Sequence, residues 1–220
     1  MPPVDVLETL TLDNLQIHRD GAVLHVEFAR PQVANAMNYA HLHDIESLAL
    51  ALRDDEITRA VVFTGQGKHF SSGADLTDPG SEYAGSLALR RRKSRMGERA
   101  INAILGIDQI TVAAWNGAAM GGGACIATAM DLRVGSRSCF MQYPEIDIGL
   151  NLMWKSLPLI VDLVGPARAK RLVVGGERLY AETLELWGVL DELVADDELL
   201  SAATDLAKFY AQKPPVAAQM

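Results

Sequence analysis

Between Asp108 and Asp131 the chain runs for 22 residues, Gln109 to Met130, without a single charge. Such a stretch has to be buried in something, and about 20 apolar residues are enough to cross a bilayer. Gly117 and Gly121 even carry the G-x-x-x-G spacing of packed membrane helices. The composition points to a protein interior instead. The stretch holds Gln109, Asn116, four glycines and no leucine, so its transfer to lipid is poor, and Gly121-Gly122-Gly123 weakens any continuous helix. It reads as a buried strand, then a tight glycine turn, then a buried helix, with no membrane span.

The rest of the chain can supply the interior this needs. With 220 residues, 49 % of them hydrophobic and 22 % charged, it has the composition of a globular protein and not of a disordered one. A net charge of −8 and a pI near 5.1 argue against nucleic acid or an anionic membrane as partner. Two cysteines, Cys125 and Cys139, make neither a disulfide framework nor a four-ligand zinc site. The opening MPPVDVLETLTLDN lacks the basic and apolar regions of a signal peptide, so the expected setting is cytoplasmic and reducing.

No repeat or low-complexity linker interrupts the sequence, and the expectation is one domain over 1–220, with an α/β core to about residue 150 and a helical region over 151–220. Leu15 to Phe28 reads as a β-hairpin turning at Asp20-Gly21. Leu42, Ile45, Ala49 and Leu52 share one face of a helix over 38–52. Ala60 to Thr64 is a strand buried on both faces. Residues 83–105 have a helical pattern around the basic run Arg90-Arg91-Arg92-Lys93. Thr111–Ala114 reads as a strand and Gly123–Met130 as a helix, with short strands over Leu132–Val134 and Cys139–Gln142. The last third is expected to be mostly helical, broken at Pro158, Gly165-Pro166 and Gly175-Gly176. Alternation of strand and helix implies a partly parallel sheet.

Several familiar sites are absent. Gly65-Gln66-Gly67 follows a strand, but Phe70 stands where a dinucleotide fingerprint needs its third glycine. There is no P-loop and no G-x-S-x-G elbow. His41 and His43, two apart on a helix, read as surface residues. No histidine has the neighbours a metal ion needs, so no metal site is expected. What remains are two glycine turns, each after a buried strand: Val61 to Gly65 leading to His69-Phe70-Ser71-Ser72-Gly73-Ala74-Asp75-Leu76, and Val112 to Gly117 leading to Ala118-Ala119-Met120-Gly121-Gly122-Gly123. Such loops offer backbone N–H groups, and the second offers them at a helix N-terminus, where negative charge is favoured. Facing each other, the two could form an oxyanion hole. Glu145, after Pro144, is the nearest downstream acid that a turn could present to it.

Four segments in order carry a resemblance: Arg30-Pro31 with Asn35-Ala36-Met37-Asn38, VVFTGQGKHFSSGADL (61–76), VAAWNGAAMGGGACIATAMDLRV (112–134) and FMQYPEIDIGL (140–150). GPARAKRLVVGG (165–176) and 181–194 continue it. Over nearly its whole length the chain resembles the crotonase, or enoyl-CoA hydratase/isomerase, superfamily. The resemblance implies an α/β, crotonase-like (ClpP/crotonase) spiral of ββα units with a helical C-terminal part. It also implies a homotrimer or hexamer and an acyl-CoA thioester substrate, with coenzyme A part of that substrate and no separate cofactor. Ala74 and Gly122 match the two oxyanion-hole positions. Ser72, Gly73, Asp75, Leu76, Thr77 and Gly121 fall in the loops that line the substrate, and Ala34 and Ala36 in the turn beside the pantetheine and adenine. Arg90 to Lys93 is either a solvated helix face or a contact for coenzyme phosphates.

The acids depart from the hydratase pattern, in which two glutamates hold a water. The second matches Glu145, but the first is Cys125, and a neutral thiol cannot do a carboxylate's work. One acid with an oxyanion hole still suffices for a proton shuttle, as in Δ3-Δ2-enoyl-CoA isomerases. Glu145 to Leu150 is also similar to the dienoyl-CoA isomerase branch, which expects acids where Met153 and Cys125 stand. The expectation is an enoyl-CoA isomerase using Glu145, the rivals being a hydratase with a non-standard first position and a non-catalytic acyl-CoA binder. Beside the family the chain looks short, ending near Lys213-Pro214-Pro215-Val216 where relatives begin another helical segment.

Overall fold

The computed structural model describes residues 6–78 and 85–218. A hairpin opens the fold, β1 (Leu15–Asp20) and β2 (Val23–Phe28), with Gly21 in the left-handed region at its turn. Helix α1 (Tyr39–Ala51) follows, capped by the Asn38 side chain, which accepts from the His41 amide at 2.9 Å. Then come β3 (Ala60–Gly65), α2 (Leu87–Lys93), α3 (Met96–Leu105), β4 (Ile110–Trp115), β5 (Ala118–Met120), α4 (Gly122–Thr128), β6 (Leu132–Ser136) and β7 (Phe140–Gln142). The last third holds α5 (Ser156–Val173), β8 (Leu179–Tyr180), α6 (Ala181–Leu186), β9 (Glu192–Val194), α7 (Leu199–Ala211) and α8 (Pro215–Ala218).

Two sheets result. The larger has the order β1-β2-β3-β4-β6-β9 and is parallel except at the hairpin. Its central strands read as unbroken apolar runs because both faces are covered. Val61, Phe63, Ala113 and Trp115 face a core shared with α1, α3 and α4. Their neighbours Ala60, Val62, Val112 and Ala114 face the other way, onto Leu199, Ala203 and Ala207 of α7. The smaller sheet, β5-β7-β8, is the one that matters for the site.

The α/β layout is as expected, with four differences. The charge-free stretch contains two strands, not one, because Asn116-Gly117 turns the chain out of β4 directly into β5. The helical pattern over 83–105 is two helices, and its first residues lie outside the described ones. Pro158 does not break α5: it sits in the first turn, where a missing N–H costs nothing. The break at Gly165-Pro166 is real, Gly165 standing at φ 77°, ψ 163° inside an otherwise helical run. Finally, His41 is not a surface residue. It is fully buried against Phe28, edge to face at 5.3 Å, and burial pushes its pKa down to about 4. No helix among the described residues is long and apolar enough to cross a membrane.

Candidate active site

The two glycine turns meet. Asn116, at the end of β4, crosslinks them: its Nδ2 donates to the carbonyl oxygens of Gly65 (2.8 Å) and Gly67 (3.1 Å), while its Oδ1 accepts from the Gly65 amide at 3.2 Å. The chain after β3 then lies along β5, with the Ser71 amide donating to Ala118 O (3.0 Å) and the Met120 amide to Ser71 O (3.0 Å). Gly73, at φ 95°, lies so close to the second turn that a Cβ there would stand 2.5 Å from Met120 O and 3.2 Å from Gly122 N. Only glycine fits both the conformation and the approach.

A third segment braces the first turn. Ala34 and Asn35 are both left-handed, at φ 51° and 55°. Asn35 is fully buried and donates to Gln66 O (3.0 Å) and His69 O (2.7 Å), while its own carbonyl accepts from the Ser71 hydroxyl at 2.8 Å. Ala34 O takes the Ser72 amide. Met37 donates to Gly73 O (2.8 Å) and accepts from the Asp75 amide (3.0 Å), a parallel bridge opposite Ala74. In such a bridge the N–H of Ala74 itself points away from Met37. Gly122 is the first residue of α4, so its N–H has no carbonyl to meet within the helix.

Glu145 arrives by the small sheet. β7 runs parallel to β5, pairing Met120 with Gln142, and the Gly121 amide donates to Gln142 O at 2.9 Å. Chain leaving both strands therefore emerges at one place. Pro144 starts a short 3-10 turn (Pro144–Ile148), and the Glu145 carboxylate comes to rest on Gly121, whose Cβ, had it one, would be 2.7 Å from Oε1. Oε2 is buried with no hydrogen-bond partner among the described residues. Burial raises the Glu145 pKa above the ordinary carboxylate value, offset only in part by a backbone hydrogen bond.

Cys125, one turn into α4, is buried beside this carboxyl. Burial pushes its thiol up to about 12; a hydrogen bond with Ser156 works against this and the nearby Glu145 charge adds to it. Asp147 turns away toward Gly176. The Asp75 carboxylate is also engaged elsewhere, accepting from Thr77 Oγ1 (2.7 Å), the Thr77 amide (3.1 Å) and Arg30 Nη2 (3.1 Å). Leu76 and Thr77 are exposed, and Ala36 is buried with its carbonyl taken by Arg30. Arg90, Arg91 and Arg92 form an exposed helix face, and Lys93 lies over the Tyr39 ring at 5.7 Å. Next to Ala74 opens a cavity of about 190 Å³ between α1, α3 and the first turn.

The enoyl-CoA hydratase/isomerase family model matches residues 18–220, nearly the whole chain. The chain belongs to this family. It is 28 % identical over 213 residues to a short-chain-enoyl-CoA hydratase of Clostridium acetobutylicum, covering 96 % of this chain and 80 % of that one. It is 30 % identical over 222 residues to the mouse mitochondrial Delta(3,5)-Delta(2,4)-dienoyl-CoA isomerase, covering 96 % and 67 %. Among solved structures, Pseudomonas aeruginosa DspI superposes with a TM-score of 0.87 at 33 % identity, covering 94 % of this chain and 78 % of that one. The fold is that of the crotonases, and family membership makes the protein an enzyme of enoyl-CoA chemistry. The two named relatives catalyse different reactions, so the specific activity has to be argued from this chain's own residues.

One residue at the site is missing from the sequence reading. Trp154, half-buried, packs against both Gly97 of α3 and Gly122 of α4, so closely that a side chain on either glycine would collide with its ring. A glycine in the middle of the helical pattern at 97 is the signal that could have suggested a large neighbour.

Proposed function

We propose that the protein moves the double bond of an enoyl-CoA, from the 3,4 to the 2,3 position, with Glu145 as the sole acid/base. The observation that carries this reading is the pairing of Glu145 with Cys125. The carboxyl lies against the oxyanion-hole turn with its basicity raised by burial. Its partner position holds a thiol that stays protonated at any physiological pH. A water to be added across a double bond needs a second carboxylate to hold it, and the position that would supply it holds Cys125. A proton carried from one carbon to another needs only one base.

In this mechanism the thioester oxygen lies between the N–H groups of Ala74 and Gly122. Glu145 removes the C2 proton, the electrons of that bond flow into the carbonyl, and the two amides hold the resulting dienolate. The protonated Glu145 then delivers the same proton to C4, the C2–C3 double bond forms, and the carboxylate is regenerated. Donors aimed at developing charge contribute most when fixed in advance, and the bracing of both turns by Asn35, Asn116 and Ser71 supports that. Coenzyme A enters and leaves as part of the substrate, and no other cofactor is required. The trimeric or hexameric assembly implied by the family belongs to the same reading. Exposed Ile146, Ile148, Leu150 and Met153, just after Glu145, support it as apolar surface to be covered.

The test is incubation with a 3-enoyl-CoA and separately a 2-enoyl-CoA, followed by NMR in D₂O. Conversion of the first without water addition to the second is the expected result. A 3-hydroxyacyl-CoA product would move the assignment to a hydratase. Binding of both thioesters without reaction would make the protein an acyl-CoA binder.

A further inference from the structure

The Trp154 indole stands between two helices at a place where both have no side chain. Gly97 and Gly122 each face it, and a Cβ on either would overlap its ring atoms. The backbone that delivers the ring is itself unusual: Trp154 and Lys155 are consecutive left-handed residues, at φ 58° and 56°. Non-glycine residues in that region are strained and persist only where their surroundings hold them. Here the hold is visible, since Lys155 Nζ reaches Glu98 Oε1 of α3 at 3.1 Å, and the Ser156 hydroxyl donates to Trp154 O at 3.3 Å. The ring is a wall packed against both helices.

That wall bounds the cavity beside Ala74, whose apolar lining includes Met37, Leu42, Met96 and Gly97 as well as Trp154. Without the indole, the two glycines would leave a slot between α3 and α4 continuous with this cavity. With it, the space ends at about 190 Å³. Pockets that enclose drug-sized ligands run to roughly 300–1,000 Å³. An apolar cavity of about 150 Å³ takes up benzene, so this one is of the size for about six carbons.

We propose that Trp154 is the specificity-determining residue of the site, closing the slot between Gly97 and Gly122 so that only short acyl groups, up to about six carbons, are fully enclosed. This rests on the acyl-CoA reading above and adds the substrate class to it. It does not depend on which reaction follows.

Saturated acyl-CoAs bind without reacting, so calorimetric titration with butanoyl-, hexanoyl-, octanoyl- and decanoyl-CoA reads the pocket alone. Wild-type affinity should rise about fourfold per methylene while carbons are being buried, then level off near hexanoyl. In Trp154→Ala the rise should continue through decanoyl. Trp154→Leu, which keeps more of the packing, should extend the rise by a smaller amount, and thermal melts confirm that each variant is folded. Affinity that climbs steadily in the wild type, or a length profile identical in all three proteins, overturns the proposal while leaving the acyl-CoA reading intact. Failure of the wild type to bind any of the four overturns both.

Discussion

Replacing Glu145 by glutamine should abolish turnover and, at the same time, make the protein more stable at neutral pH. The loss of activity follows from the proposed role of Glu145 as the base. General acid–base groups typically contribute about 10²–10⁴ in rate, and the neighbouring Cys125 thiol cannot substitute. With the Cys125 thiol pushed up to about 12, only about one molecule in 10⁴ carries a thiolate at pH 8. The upper end of the range, ~10⁴ in kcat, is therefore expected. The gain in stability follows from the raised pKa. A carboxyl that holds its proton more tightly folded than unfolded favours folding at low pH, and that contribution is lost as pH rises through the folded-state value. Above it the wild type carries the cost of a buried, unpartnered charge, Oε2 having no donor among the described residues. The neutral amide of the Glu145→Gln variant removes that cost. The variant should melt above the wild type at pH 7–8, with the difference shrinking as pH falls toward the ordinary value of 4.5. The assays are conversion of a 3-enoyl-CoA and a pair of melting curves across pH. Activity within tenfold of wild type would refute the assignment of the base. A variant less stable than wild type at pH 8 would refute the account of its environment.

Further expectations follow from the same geometry. Gly121→Ala places a Cβ 2.7 Å from Glu145 Oε1 at φ 48°, so urea titration should show a loss of about 1–3 kcal/mol, with kcat falling alongside. Arg30→Ala removes the guanidinium that ties Asp75 and Ala36 behind Ala74; loosened placement of the Ala74 amide should lower kcat by roughly ten- to a hundredfold, more than it raises KM. The Asp75 carboxyl is held below 3.8, first by Thr77 and also by Arg30. Its contribution to stability is present above 3.8 and lost as pH falls through the depressed value, and denaturant titrations of Asp75→Asn should lack that acid-side component. Cys125→Ala should leave isomerisation within a few-fold of wild type, and the native thiol should resist iodoacetamide at pH 8 until the protein unfolds. Rapid alkylation, or loss of activity in the variant, would argue for a working thiol.

Much of this was legible in one dimension because the physics involved is local. The strands Ala60–Gly65 and Ile110–Trp115 are uninterrupted apolar runs because both faces of the sheet are covered. The hairpin turn at Asp20-Gly21 and the glycine turns at 73 and 121 declare themselves because few other residues adopt their conformations. Four segments in order carried the resemblance that named the family, and within it Cys125 marked the departure from the two-glutamate pattern. Strand β5 escaped because three residues after Asn116-Gly117 leave no room for a period to show. His41 escaped because helical spacing says which residues share a face, but not that a neighbouring segment will cover a polar one.

By itself the sequence determined the buried strands and the glycine turns, which follow from backbone conformation and apolar periodicity within short windows; its resemblance to known enzymes added the family and offered Glu145 as the candidate acid. Tertiary structure decided the rest. The charge-free stretch from Gln109 to Met130 lies beneath the candidate site only because β5 is paired on both edges, to Ser71 and to β7. The basicity of Glu145 depends on how much water the surrounding chain excludes from Oε2. The wall at Trp154 exists because two glycines, 25 positions apart in sequence, face the same ring. Burial and van der Waals contact act between groups that are close in space, and only the folded chain says which groups those are.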